Sequence, residues 1–473
     1  MRRLFLSTLV FAVVTACAPA QHLRDNAITQ HHRIQLNPNL TPELQKKIFW
    51  TSTAQSVAVT TVEGVPPGEL TDPKSVVSQP LAGAVAAAGA QQPNAGQKPL
   101  AAAPDDQTIS AVEELARNAL PKPGTGSLTV GIVAGGRLRW SKSYGYADME
   151  QQIPATADTM YRIASITKQF TALMFLQLVQ DGKVNLSDPV EKYFPEVNLV
   201  QGRFPSAPPI TLVQLATHTS GLAENPQNNR EYMVGPVADW EKTTIEALKK
   251  TRYVFEPGTK FGYSNIGYAV LAAALSRAAR QPYTEYVRQH IWEPLGMTQT
   301  TFEPDPRMRA KIAKGYHLKK NGQAEEGIAE RLQYHGYEVP AGSVFTTVGD
   351  LAKFVVFELG GGPATVLQPQ ALEQNFQRII TTNENFTSGY AVGYEVQRRC
   401  NAVYFGHQGG IWGYVADAFF NLPTKTGVIV LHNATGDKFE DEEFMLNVFE
   451  KLFPSCELQS RHALGESRRA EHQ

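Results

Sequence analysis

The chain has 473 residues, of which 19% are charged and 42% hydrophobic, and its formal net charge is −1. Such a length holds two or three average domains, or one large domain with appendages. The balanced charge and the lack of a long Lys/Arg run exclude a nucleic-acid footprint. No His-Glu-x-x-His or Gly-x-x-x-x-Gly-Lys-Ser/Thr segment supplies the parts of a metalloprotease or a nucleotide hydrolase.

The N-terminus reads as an export signal. Arg2 and Arg3 form a basic start, and Leu4 to Val14 is apolar apart from Ser7 and Thr8. This stretch is too short to cross a bilayer as a helix, which takes roughly 20 residues, but it suits a signal-peptide core. Val14-Thr15-Ala16-Cys17 then resembles a bacterial lipobox, in which the cysteine becomes the lipidated first residue of the mature chain. Ordinary cleavage near Ala18-Pro19-Ala20, discarding Cys17, is the alternative. Lipidation of Cys17 makes residues 1–17 a leader and anchors the rest to a membrane, each buried methylene contributing about 0.8 kcal/mol. The expected location is the bacterial periplasm or cell envelope. Residues 18–105 read as a flexible tether, because 79–106 is rich in Ala, Pro, Gln and Gly and has no aromatic residue. As a coil the tether spans on the order of 50 Å.

Order is expected over 106–455, with 456–473 as a tail. Ile109 to Leu120 carries Val112, Leu115 and Leu120 at helical spacing and stops before Pro121 and Pro123. Leu128 to Val133 and Leu138 to Tyr144 read as two strands joined by a turn at Gly135-Gly136. A long, mainly helical middle section follows. Val403 to Gly406, Val415 to Leu422 and Gly427 to His432 then read as three short strands, and Glu440 to Leu452 as a helix with Phe444, Val448 and Leu452 on one face. Strands at both ends with helices between them imply one α+β domain whose ends meet in a shared antiparallel sheet, flanked by the first and last helices. The helical block is then an inserted subdomain.

Three segments carry chemistry. Ser165-Ile166-Thr167-Lys168 opens an apolar helix that runs through Phe170, Leu173, Met174 and Leu178. Residues i and i+3 share a helical face, so the Lys168 amine lies beside the Ser165 hydroxyl and can take its proton. Alone the motif is weak, since a chain of this size holds roughly one Ser-x-x-Lys by chance. Tyr263-Ser264-Asn265 enters another apolar helix, and a phenol there can relay protons beside an amide that donates and accepts hydrogen bonds. Loop capping by Ser264 and Asn265 is the plainer reading of that tripeptide. His407-Gln408-Gly409-Gly410 lies on the strand that starts near Val403, where glycines permit close approach of a ligand, or merely form a tight turn.

The order and spacing of these segments resemble the serine β-lactamase and penicillin-binding-protein superfamily, in particular its class C β-lactamase and DD-peptidase-like branch. That branch has Ser-x-x-Lys, then Tyr-x-Asn, then Lys/His-x-Gly. Leu215-Ala-Thr-His-Thr-Ser-Gly-Leu222, Glu256-Pro-Gly258, Glu293-Pro-Leu-Gly-Met297 and Ala341-Gly342 with Asp350-Leu351 also look like its segments. The resemblance implies the β-lactamase/transpeptidase-like fold. It implies Ser165 as acylated nucleophile, Lys168 as general base and Tyr263 as proton shuttle. Asn265, His407, Gln408, Gly409 and Gly410 would bind substrate, with the Ser165 and Gly410 N–H groups as oxyanion hole. His218 is expected to be structural.

One departure bears on substrate. Class C enzymes carry Lys-Thr-Gly at the third motif, whereas His407 is largely neutral near pH 7 and Gln408 replaces the hydroxyl. The expectation shifts from β-lactams to an amide or ester of the DD-peptidase, D-amidase or esterase type. The alternatives are a class C-type β-lactamase and a non-catalytic cell-wall-binding lipoprotein. No cofactor or metal is expected. The partners expected are a small-molecule or peptide substrate and a membrane reached through the lipid anchor, with the protein a monomer. Two cysteines besides Cys17 meet an oxidising compartment. In the implied fold the terminal helix ends near the start of the His407 strand, so Cys400 is expected to pair with Cys456.

Overall fold

The computed structural model describes residues 104–120, 126–319, 324–325, 335–377, 380–383, 387–436 and 439–455. The leader with Cys17, the tether up to residue 103, and the tail 456–473 with Cys456 lie outside the described residues.

Helix α1 (Asp106–Ala119) starts three residues earlier than its apolar spacing suggests, because the Asp105 carboxylate caps it by accepting the Thr108 N–H at 2.8 Å. The chain then builds β1 (Ser127–Ala134) and β2 (Arg137–Asp148) around Gly135 and Gly136, both at positive φ as a two-residue hairpin turn requires. A two-residue strand β3 (Ile153–Pro154) lies outside β2.

The middle section is mainly helical. Its centre is α2 (Thr167–Gln180), whose residues Thr167 to Leu178 are all buried; a helix apolar on every side belongs inside a domain. Alongside it runs α3 (Asn265–Ala279), buried from Ile266 to Ser276 and capped by the Ser264 hydroxyl, which accepts the Gly267 N–H.

Six strands return the chain to the sheet: β4 (Thr381–Thr382), β5 (Ser388–Tyr390), β6 (Glu395–Arg399), β7 (Ala402–Ile411), β8 (Tyr414–Asn421) and β9 (Thr426–His432). Helix α4 (Asp441–Leu452) closes the unit. The nine strands form one antiparallel sheet in the order β3-β2-β1-β9-β8-β7-β6-β5-β4. Its middle pairs β1 with β9, Leu128 opposite His432 and Ala134 opposite Thr426, so the two ends of the unit do meet in one sheet. The sequence pattern gives only three of the six returning strands; for β7 it finds the apolar start near Val403 and sets His407 to Gly410 on the same strand, which runs from Ala402 to Ile411.

Strand alternation divides the core. Leu128, Val130, Ile132, Tyr404, Phe419 and Val430 face α1 and α4, packing with Val112, Phe444, Met445 and Phe449. The other face, with Phe405, Ala416, Ala418 and Ile429, packs on the helical section.

Cys400 stands at positive φ in the tight turn between β6 and β7 and is disulfide-bonded. Its expected partner, Cys456, lies outside the described residues. The Ser455 hydroxyl donates to the Arg399 carbonyl at 3.4 Å, so the residue before Cys456 lies against the residue before Cys400.

Candidate active site

Ser165 does not open α2. It stands in a 3-10 turn, Ala164–Ile166, that leads into the helix at Thr167. Ala164 is held at φ 43, a left-handed conformation costing about 1–2 kcal/mol for a residue with a Cβ. The segment is locked by the Ile163 N–H donating to the Val344 carbonyl at 2.9 Å. Ser165 is partly exposed while its neighbours from Tyr161 to Phe170 are buried.

Lys168 has no exposed surface, and its Nζ lies 3.0 Å from Ser165 Oγ, 2.8 Å from Asn265 Oδ1 and 2.9 Å from the Ala341 carbonyl oxygen. Burial disfavours the ammonium form, while the carboxylates of Glu338, Glu395 and Glu224 favour it, and the balance brings its pKa down to about 7. Two of its three partners, Asn265 Oδ1 and the Ala341 carbonyl, can only accept. A neutral amine has two protons and one lone pair, so those two acceptors take the protons and leave the lone pair for the Ser165 hydroxyl.

Tyr263 and Asn265 flank the capping Ser264 at the start of α3. Asn265 Nδ2 donates to Asn225 Oδ1 at 3.0 Å, which orients its Oδ1 toward Lys168. The Tyr263 ring lies 4.8 Å from Lys168 Nζ, and its hydroxyl hydrogen-bonds the Ser165 side chain. Burial pushes the phenol well above 10, against the opposing effect of that hydrogen bond, so it stays protonated. His218 supports the tyrosine from behind, ring centroids 4.2 Å apart, and its Nδ1 accepts the Ser264 N–H at 3.0 Å. Burial holds its pKa well below 6.5.

Strand β7 brings the third segment to the same place, with two corrections. His407 is fully buried and both its ring nitrogens are engaged within the protein. Nδ1 lies 2.5 Å from the Gln408 carbonyl, which can only accept, so Nδ1 carries the proton and Nε2 accepts the Tyr390 hydroxyl at 2.9 Å. Burial, then the Lys168 charge, lowers its pKa to about 3, so the ring is neutral and offers a substrate no free N–H. Gln408 is not on the site face at all. Alternation turns it to the side of Tyr404, where its Nε2 donates to Asp441 Oδ2 at 2.6 Å, at the start of α4. The expected substrate contact by Gln408 is therefore overturned. Gly409 is required: a Cβ there would sit 2.1 Å from the Ile163 carbonyl oxygen and 3.2 Å from Ser165 N, so the strand abuts the Ser165 segment directly. Gly410 is exposed beside it with open space around its Cα.

Sequence reasoning missed Asn225, Tyr337, Glu338, Tyr390 and Glu395. Tyr337 donates its hydroxyl to Asn225 Oδ1 at 2.9 Å, and Glu395 Oε2 accepts the Gln408 N–H at 3.2 Å. Helical spacing back from Ala341 would have found Glu338; the rest are joined by topology alone. Among the described residues, no group of three or more His, Cys, Asp or Glu side chains has the geometry to hold a metal ion.

The family model described as Beta-lactamase matches residues 84–449. The chain belongs to the beta-lactamase family. Among curated members, the Dictyostelium discoideum Beta-lactamase-like protein 2 is 30% identical over 72% of this chain, which spans 63% of that protein. Protein flp of Staphylococcus aureus strain MW2 is 27% identical over 65% of the chain and 59% of its own length. Of solved structures, the octameric penicillin-binding protein homologue from Pyrococcus abyssi superposes with a TM-score of 0.63 at 26% identity, covering 73% of this chain and 77% of the other. A D-stereospecific amidohydrolase from Streptomyces has the same fold, TM-score 0.59 at 24% identity, covering 74% of this chain and 99% of its own. This beta-lactamase-family chain therefore has the β-lactamase/transpeptidase-like α+β architecture, with Ser165, Lys168, Tyr263 and Asn265 gathered where α2, α3 and β7 converge.

Proposed function

We propose that the protein is a serine hydrolase that cleaves an amide or ester through an acyl-enzyme on Ser165. The observation that carries this reading is the Lys168 amine: buried, with a pKa near neutrality and its two obligate acceptors placed to leave its lone pair facing Ser165 Oγ.

The Ser165 oxygen attacks the acyl carbon as Lys168 takes its proton, and the negative charge on the acyl oxygen meets the N–H groups of Ser165 and Gly410. Tyr263, protonated and bonded to Ser165 Oγ, gives its proton to the departing amine or alkoxide. The proton on Lys168 then replaces the one Tyr263 lost, over the short distance between them. Water completes the cycle with Lys168 or Tyr263 as base.

A neutral, enclosed His407 supplies no positive charge for a carboxylate, which favours peptide-like amides or esters over β-lactams. The penicillin-binding name of the Pyrococcus relative supports the same choice. Cys17 is proposed as the lipid anchor that holds this activity at the cell envelope.

Labelling by a fluorophosphonate probe tests the assignment. Wild type should be labelled and Ser165→Ala should not; equal labelling of both would refute the nucleophile and leave a binding role. Turnover of nitrocefin by the wild type, lost in Ser165→Ala, would instead establish a β-lactamase.

A further inference from the structure

The Lys168 amine is surrounded by groups that could set its charge. The Tyr263 and Tyr268 rings lie 4.8 and 5.6 Å away, and both phenols are held protonated by burial. His218 and His407 are neutral. Three carboxylates face it: Glu224 from the segment before α3, Glu395 from β6, and Glu338 from the turn before Ala341. Glu224 is partly exposed, where water screens it. Glu395 accepts the Gln408 N–H, and burial pushes its pKa up to about 8, leaving it mostly neutral.

Glu338 differs from both: burial raises its pKa, but the Lys168 and Arg162 charges and the Tyr337 hydroxyl oppose that rise. It is buried at 8% exposure, and its Oε1 lies 3.4 Å from the Tyr337 hydroxyl oxygen, whose proton goes to Asn225 Oδ1. It stands one helical turn before Ala341, whose carbonyl is itself a Lys168 partner. Its Oε2 comes within 3.4 Å of where a Cβ on Gly342 would lie, and the same site is 3.9 Å from the Ala164 carbonyl carbon, next to the nucleophile. A second buried cation reaches this turn. Arg162, 2% exposed, donates from Nε to the Gly342 carbonyl at 2.9 Å and from a terminal nitrogen to Ser343 Oγ at 3.3 Å. One short turn thus carries a buried carboxylate that interacts with both the Arg162 guanidinium and the Lys168 amine. Without that anion, Lys168 loses a charge that favours its ammonium form and becomes a poorer acceptor of the Ser165 proton.

We propose that Glu338 is a positioning residue whose carboxylate sets the pH at which Lys168 becomes a base. This rests on the reading of Lys168 as the partner of Ser165. The sign is fixed: an adjacent anion stabilises the ammonium, so its removal lets Lys168 lose its proton at lower pH.

The test is the second-order rate of fluorophosphonate labelling as a function of pH. Glu338→Gln is expected to move the acid limb down by roughly one pH unit and to lower the plateau rate, while Glu338→Asp, which keeps the charge, restores the limb toward wild type. Tyr337→Phe, which removes a hydroxyl whose nearness favours the carboxylate, should move the limb the same way by less. It serves as the second variant should Glu338→Gln fail to fold. A limb that stays in place, with the rate scaled equally at every pH, would overturn the proposal and leave Glu338 a packing residue. Labelling that persists in Ser165→Ala would instead overturn the underlying reading.

Discussion

A lysine without exposed surface is costly to a protein, and Lys168 shows where the cost falls. Its folded pKa of about 7 lies below its ordinary value of 10.5. Between those values the unfolded chain holds a proton that the folded chain lacks, so stability rises with pH across that window. The penalty is fully present below about pH 7 and vanishes above the ordinary lysine value. Comparing wild type with Lys168→Met by urea unfolding should show wild type gaining about 1.4 kcal/mol per pH unit relative to the variant between about pH 7 and pH 9.5. The same variant should lose labelling by about 10²- to 10⁴-fold, the usual contribution of a general base. A pH-independent stability difference would mean that Lys168 titrates normally and is no base.

At the level of elements, β7 separates two roles that sequence alone had merged. Gly409 and Gln408 are neighbours, yet one faces the nucleophile turn and the other faces α4. Gly409→Ala should abolish labelling, because the new methyl group collides with the Ile163 carbonyl and forces the strand off Ser165. Gln408→Ala should lower stability by about 1–3 kcal/mol through loss of its hydrogen bond to the buried Asp441 carboxyl and leave the labelling rate of folded protein near wild type. A specific loss of labelling in Gln408→Ala would return that residue to the site. The contrast also marks what was legible. The β1–β2 hairpin, the helix behind Lys168 and the last two strands carry long apolar or alternating runs, and the sequence pattern finds them. Three-residue and shorter strands such as β4 and β5 have no period to read. In β7 the glycines that demand close packing are the same residues that dilute the strand signal. The Ser165, Lys168, Tyr263 and Asn265 set was legible because motif spacing records it. The partners beyond it, Asn225, the Tyr337-Glu338 pair and Tyr390, come from three separate segments and have no shared spacing.

Over the whole molecule, α1 and α4 cover one face of the sheet and the helical section covers the other, with the site on the helical-section face. The disulfide at Cys400 fastens the turn that enters β7. Cys400→Ser, or reduction of the wild type, should lower stability by about 2–4 kcal/mol in denaturant titration, with no loss of labelling until the protein unfolds. An unchanged midpoint under reductant would show that the bond contributes nothing to the fold.

The β1–β9 pairing also fixes an order of events. Leu128 must wait for His432, so the middle of the sheet stays open until the ribosome has made nearly the whole unit. Ser165 and Lys168 are synthesised early, yet Gly409 and Gly410 come from the last strands, and no nascent chain can hold a finished site. A growing polypeptide would thus remain unreactive toward acyl donors, and labelling would begin only with the last-made strands in place.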